Sequence, residues 1–350
     1  MKPENDVIII GGGLSGLALA YFLQKKGIAA TVLEGAERLG GRIHTAAGAL
    51  GTPLELGATW FSDMHPQLLS LIAELGLKKY PQFSQGISLF QTKSFEPAQQ
   101  FFVPAAEAPS YRLAGGTGML IKALSEKLPP GSIRLNAKVV AVREAGNSLT
   151  AETAGGNFYT GKAIISCIPP QLVASQVAIL PELPQFVLDV LPNVQTWMAG
   201  AIKFALEYAQ PFWRTRGFSG MLYSHAGIIV EMYDHTNFEE NRFGFTGFLN
   251  NGAASYAPEV RRELVLRQLS ELMGSGIPLP VAYYDKVWNN EFIIHGTPVI
   301  LRPHQDNGHP VLRSSYMNGK FHFCGTETAT ACPGYMEGAV VAAKFIADRL

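Results

Sequence analysis

The sequence predicts a mixed α/β protein of two units, a doubly wound parallel-sheet domain and a mainly β domain inserted into it. Three observations carry this. The chain opens with a strand–helix–strand unit; about Trp197 to Leu249 reads mostly as strand; and the last strand and helix are needed to complete the first sheet, so the units are discontinuous.

The opening strand is Val7 to Ile10, an all-apolar run that stops at Gly11, as a strand buried on both faces does. Leu14 to Lys26 follows with helical spacing, Leu14, Leu17, Ala18, Tyr21 and Phe22 sharing a face; Gly27 ends it, and Ala30 to Leu33 is the next strand. Pro66 to Leu75 and Gly118 to Leu128 are predicted helices, stopped by Gly76 and Pro129. Gln82 to Ser110 lacks periodicity and is read as loop with short strands. A small meander is expected over Ile133 to Arg143, Leu149 to Glu152 and Phe158 to Tyr159, then a separate buried strand at Ala163 to Cys167. Strands are predicted at Ala201 to Tyr208, Met221 to Ser224, Ile228 to Tyr233 and Phe243 to Asn250. A helix over Pro258 to Met273 is expected to bury Val260, Leu264, Leu266, Leu269 and Leu272, before a last strand, Phe321 to Cys324, and a last helix, Tyr335 to Leu350.

Composition narrows the function. The 350 residues are 47% hydrophobic and 16% charged, against roughly 25% charged in ordinary domains. Lys+Arg and Asp+Glu are 28 each, which leaves no electrostatic footprint for nucleic acid or an acidic membrane surface. No window reaches the ~20 apolar residues of a membrane span, and the N-terminus lacks a signal-peptide pattern. The three cysteines, Cys167, Cys324 and Cys332, form no CxxC pair or disulfide ladder, which fits a reducing, cytoplasmic setting. His65, His295, His304 and His309 have no metal-ligand spacing and are read as ordinary surface or loop residues.

Gly11-Gly12-Gly13-Leu14-Ser15-Gly16 is a G-x-G-x-x-G placed between a strand and a helix. Gly11 permits the turn, Gly13 lets backbone approach a pyrophosphate, Gly16 lets helix and strand pack, and the helix start at Leu14 and Ser15 offers N–H groups to phosphate. Glu34, at the end of the second strand, stands where a carboxylate accepts from a ribose diol. This is a Rossmann-type dinucleotide site. Arg38-Leu39-Gly40-Gly41-Arg42 follows at once, a second glycine doublet flanked by cations that can neutralise phosphate.

These motifs resemble the FAD-dependent amine oxidases, the family of monoamine and polyamine oxidases. Further stretches agree: Leu56-Gly57-Ala58-Thr59-Trp60, Ala114 to Gly118, Ile202-Lys203 ahead of Pro211-Phe212-Trp213, and Cys324 to Thr330 followed by Gly334 to Ala339. The resemblance implies a Rossmann-type FAD-binding domain, 1–80, 111–188 and 291–350, and a discontinuous, mainly β substrate domain, 81–110 and 189–290. It implies oxidation of an amine or amino acid by hydride transfer to flavin N5, imine hydrolysis, and reoxidation by O2 to H2O2. Gly11, Gly13, Leu14, Ser15, Gly16, Glu34, Gly41 and Arg42 would then hold the adenosine and pyrophosphate, with Val139 at adenine. Gly57, Ala58, Thr59, Trp60, Gly325, Thr326, Glu327, Tyr335 and Met336 would serve the rest of the cofactor.

Pattern alone puts Lys203 on a strand's solvent face with Ala205 and Glu207, whereas the resemblance makes it the lysine that holds a water at flavin N5. Tyr335 matches one wall of the family's aromatic sandwich. The stretch Asn289 to Pro298, where the second wall and a flavin-linked cysteine would fall, contains neither Tyr nor Cys, so the FAD is expected to be non-covalent. Trp60, Trp288 or Phe292 are candidates to replace the wall. Only about forty residues join Leu77 to Gly115, too few for several helices of ~10–12 residues each, so a thin roof is expected where the family inserts a helical part. A flavin-dependent C–C dehydrogenase or desaturase, and a flavin-binding protein with decayed catalysis, remain alternatives.

Overall fold

The computed structural model describes residues 5–289 and 302–350. Its first sheet has nine strands among those residues. The parallel part places Asn5–Ile10 between Ala30–Leu33 and Phe158–Ser166, with Val7 paired to both Ala30 and Ala163. Ile133–Arg134 extends the sheet beyond Ala30–Leu33, and Phe321–Phe323 joins Phe158–Ser166 in parallel. Alternate residues of the first strand feed opposite cores. Val7 and Ile9 pack with Val32, Ile165 and the helices Leu14–Lys25 and Met336–Ala347; Ile8 and Ile10 pack with Leu33, Ile164, Leu149 and Leu191. A strand covered on both faces needs continuous apolar sequence, which explains the unbroken Val-Ile-Ile-Ile run.

The meander differs from the prediction in two respects. Phe158 to Ser166 is a single strand, its first half antiparallel to Ser148–Thr153 and its second half parallel to Asn5–Ile10. Its polar start and apolar end look like two strands in sequence because its two halves have different neighbours. The predicted strand Ile133 to Arg143 is instead two, Ile133–Arg134 and Val139–Ala145, broken at Asn136 with φ 55°.

The second sheet runs, in spatial order, Ala282–Val287, Ile202–Tyr208, Phe243–Leu249, Ile229–Asp234, Phe218–Ser224, Gly86–Gln91 and Gln99–Val103. Ala282–Val287 was not expected from sequence. Helix Pro258–Met273 covers one face through Val265, Leu269 and Met273, whereas Val260, expected inside, is exposed. The other face lies against the segment holding Leu54 and Leu56, which packs on Ala205. Every residue of Ile202–Tyr208 is therefore buried, and the solvent-face expectation for Lys203 and Glu207 is corrected. Glu207 accepts backbone N–H bonds from Leu50 and Thr52, so the loop ahead of Leu54 buries it by hydrogen bonding. Between Leu77 and Gly115 the structure has four strands and no helix. Among the described residues no helix is long and apolar enough to cross a membrane.

Candidate active site

A cavity of about 1080 Å3 runs from the carboxyl ends of the parallel strands, at Ile10 and Cys167, to Lys203 in the second sheet. Its first end is built mainly from glycine and backbone. Gly11 has φ 106°, which a β-carbon disfavours. Gly13 starts the helix with no side-chain cap, and a β-carbon there would meet nothing nearer than Gly40 O at 3.9 Å, on the cavity wall. Gly16 does not line the cavity; a β-carbon on it would stand 2.0 Å from Gly11 O, so it serves the strand–helix contact. Glu34 lines the cavity and accepts from Gly12 N at 2.6 Å and Ala36 N at 2.8 Å, which ties the turn to the end of the second strand. These features fit an extended dinucleotide: an uncapped helix N-terminus, open glycine surface and a carboxylate at the ribose end.

Leu14, Ser15, Gly41, Arg42, Gly57, Ala58, Thr59, Trp60, Val139, Thr326, Tyr335 and Met336 all line the same cavity. Glu327 and Gly325 do not. Glu327 is fully buried and grips the Arg42 guanidinium at 2.6 and 3.1 Å. Its part is to hold Arg42 at the wall, a second contact behind the lining. Thr326 Oγ1 donates to Tyr335 O at 2.7 Å and so fixes the start of the last helix.

At the other end Lys203 is fully buried. The antiparallel register sets Phe248 directly opposite it on one neighbouring strand and Lys286 on the other, so all three reach the cavity from one sheet face. Lys203 Nζ donates to Gly57 O at 2.8 Å and to Thr59 Oγ1, and lies 4.8 Å from the centre of the Trp60 ring. Burial pulls its pKa down to about 7; Arg112 pushes the same way, while Glu55 and Glu231 oppose. Beneath it Glu55 is buried and held above its ordinary range by desolvation, against the bonds it accepts from Thr117 and Thr45. Buried His235 is held well below its ordinary range, by desolvation first and by Arg112 and Lys203 next.

The expected aromatic wall is only partly where sequence placed it. Tyr335 is 42% exposed and stacks on Trp197, with centroids 5.9 Å apart and planes at 29°. Trp197 in turn lies face to face with His304 at 4.7 Å and 10°. The His304 ring also lies 6.0 Å from Tyr335, so the three rings pack against one another; His304 is a loop residue as read, but a half-buried one that is part of the wall. Of the proposed replacements, Trp60 lines the cavity beside Phe248 and Tyr233, and its Nε1 donates to Gln82. Trp288 is 1% exposed, donates to Leu56 O and does not line it. Phe292 and His295 lie outside the described residues. Trp197, Met198, Phe248 and Lys286 were missed by sequence reasoning. Trp197 belongs to no periodic pattern, and Phe248 and Lys286 reach the site only through strand register.

The sequence profile of the flavin containing amine oxidoreductases matches residues 14–106 and 83–350. The chain is 25% identical to a probable flavin-containing monoamine oxidase A of Dictyostelium discoideum, over 100% of this chain and 99% of that protein. That alignment needs 461 positions for a chain of 350. The putrescine oxidase of Kocuria rosea is 25% identical over 82% of this chain and 83% of its own. Among solved structures, cyclohexylamine oxidase from Brevibacterium oxydans superposes with a TM-score of 0.85 at 21% identity, covering 99% of this chain and 98% of that one. A putrescine oxidase bound to putrescine gives 0.84 at 22%, with the same coverage. These two likenesses establish a shared fold.

Proposed function

We propose a function from a plain premise: the chain belongs to the flavin-containing amine oxidoreductase family, is an enzyme, and takes FAD. On that premise it oxidises an amine or amino acid at the Lys203 end of the cavity, with FAD held non-covalently along the Gly11 end. Bound FAD supplies the two-electron acceptor for the carbon next to nitrogen, and dioxygen is our proposed final acceptor, reduced to hydrogen peroxide.

The observation that carries the reading is one cavity joining a dinucleotide cradle to a buried lysine ringed by aromatic side chains. A neutral Lys203 has two N–H groups, and both are donated, to Gly57 O and Thr59 Oγ1. Its lone pair is then left to hold a water, which suits Lys203 to steer water toward the imine. Trp60, Phe248, Trp197 and Tyr335 give the amine an apolar surround, which lowers its pKa and favours the neutral, oxidisable form. Glu34, Arg42 and Val139 serve the adenosine and pyrophosphate in this reading, and Thr326 and Met336 the ring end. The two sheets correspond to the FAD and substrate units, and three unpaired cysteines support a cytoplasmic setting.

The test is an anaerobic titration of the FAD-loaded protein with monoamines, diamines and amino acids, followed by flavin absorbance. Bleaching by one class, reversed by air with peroxide formed, is the expected result. A yellow protein that no amine bleaches overturns the reading in favour of C–C dehydrogenation or decayed catalysis.

A further inference from the structure

A second cavity, of about 340 Å3, lies apart from the first, between the segments 80–85 and 105–112. It is bordered by Arg112, from the short strand Tyr111–Leu113. Arg112 is 4% exposed, yet its guanidinium makes one hydrogen bond within the protein, Nη1 to Thr236 O at 2.9 Å; Nε is buried without a partner. Among the described residues no carboxylate lies within ion-pair distance of it. Asp234, the acid near this cavity, is taken by Arg214 at 2.8 and 3.0 Å and by the Trp213 Nε1 at 2.7 Å. An arginine removed from water and left with most of its five donors unused is costly unless an acceptor arrives. With Nη1 engaged and Nε sealed from water, Nη2 is the donor left to meet an oxygen of a carboxylate.

The walls refine the ligand. The guanidinium sits 5.1 Å from the centre of the Tyr80 ring, and Phe83 and Phe238 also border the space. Arg214 also borders the cavity, but its charge is taken by Asp234 at 2.8 Å and by Glu240, at the rim, at 3.2 Å, so among the described residues Arg112 is the one bordering cation without a carboxylate and a ligand with a single negative charge balances it. We propose that this cavity binds a monocarboxylate with a flat apolar body, its carboxylate held by Arg112. The site adjoins the amine site: Gln82 borders the small cavity and accepts from the indole of Trp60, which lines the large one, at 2.8 Å.

The test is calorimetric titration of the FAD-loaded protein with benzoate, and in parallel with acetate and inorganic phosphate. One-site saturation by benzoate, with Kd of about 1 mM or tighter and weaker binding of acetate, is expected. Arg112→Leu should weaken it at least tenfold. Should that variant fail to fold, Ala106→Trp fills the cavity from an exposed border residue and leaves Arg112 in place; it should abolish binding while the flavin spectrum stays unchanged. No saturation by benzoate, binding that survives Ala106→Trp, or phosphate bound as well as benzoate would each overturn the proposal.

Discussion

At the Gly11 end of the large cavity much of the lining is glycine and backbone from two short stretches, Ile10 to Ser15 and Leu33 to Ile43, with Val139 and Cys167 beside them; at the Lys203 end it is side chains from strands and loops far apart in sequence. On the proposed reading, the first end recognises its ligand by what is missing, β-carbons and a helix cap. The second works by what is present, a buried amine and four aromatic rings. Substitutions should therefore fail in different ways, the first by steric exclusion of cofactor and the second by loss of chemistry with cofactor retained.

The largest effect is expected at Gly16. A β-carbon 2.0 Å from Gly11 O cannot be relieved by a rotamer change, because the obstacle is backbone, so Gly16→Val should give no soluble flavoprotein. Gly13→Ala sharpens the point. Its β-carbon clashes with nothing in the protein but intrudes on the cavity, so it should fold with Tm near the parent while FAD affinity falls about tenfold or more, roughly 1.4 kcal/mol. Flavin content after gel filtration and a melting curve separate the two variants. Equal behaviour would break the distinction between packing glycine and cradle glycine.

At the other end, Lys203→Met should keep the flavin and lower turnover about 100-fold, within the usual range for loss of a positioned proton-handling group. Flavin loss in that variant would place Lys203 with the cradle instead. The pH dependence follows from the same burial. Lys203 is depressed from 10.5 to about 7, so acidification through about 7 protonates it, consumes the lone pair and should reduce kcat on the acid side. Between those values the unfolded chain binds a proton that the folded chain does not, so stability should rise with pH across roughly 7 to 10.5. Lys203→Met should flatten both profiles. Melting temperatures over that window are the check, and an unchanged slope would show that Lys203 keeps its charge inside the protein.

The comparison also explains what could be read in advance. Gly11 to Gly16 act within one turn and Glu34 reaches back to Gly12 across a single strand–helix–strand unit, so spacing already encodes that geometry, whereas the hold of Glu327 on Arg42 joins distant segments and was not legible. Lys203 was visible only through resemblance, because alternation along Ile202–Tyr208 cannot tell a solvent face from one sealed by the segment around Leu54. Phe248 and Lys286 were out of reach, since a one-residue slip in register would turn either away. The single strand Phe158–Ser166 was divided for a related reason: its residues record two different environments, and sequence does not show that one strand passes through both.

Trp197 offers the smallest and most discriminating test. Its ring packs against both Tyr335 and His304, which also touch each other at 6.0 Å, and its carbonyl lies 3.4 Å from an Arg42 guanidinium nitrogen, so it is where the two ends of the cavity meet. Its contact with Arg42 is through backbone and survives truncation. Trp197→Ala removes only the ring, so flavin binding should persist while KM for an apolar amine rises about tenfold, roughly 1.4 kcal/mol, with kcat changed less. Trp197→Phe, which keeps an aromatic face, should recover most of the loss. If alanine lowers kcat with KM unchanged, the ring acts on the reacting centre, and the wall belongs to the chemistry of Lys203. If it releases FAD, the stack braces the Arg42–Glu327 pair and belongs with the cradle. A KM effect rescued by Phe assigns it to neither, as a surface that selects the amine by shape and apolarity.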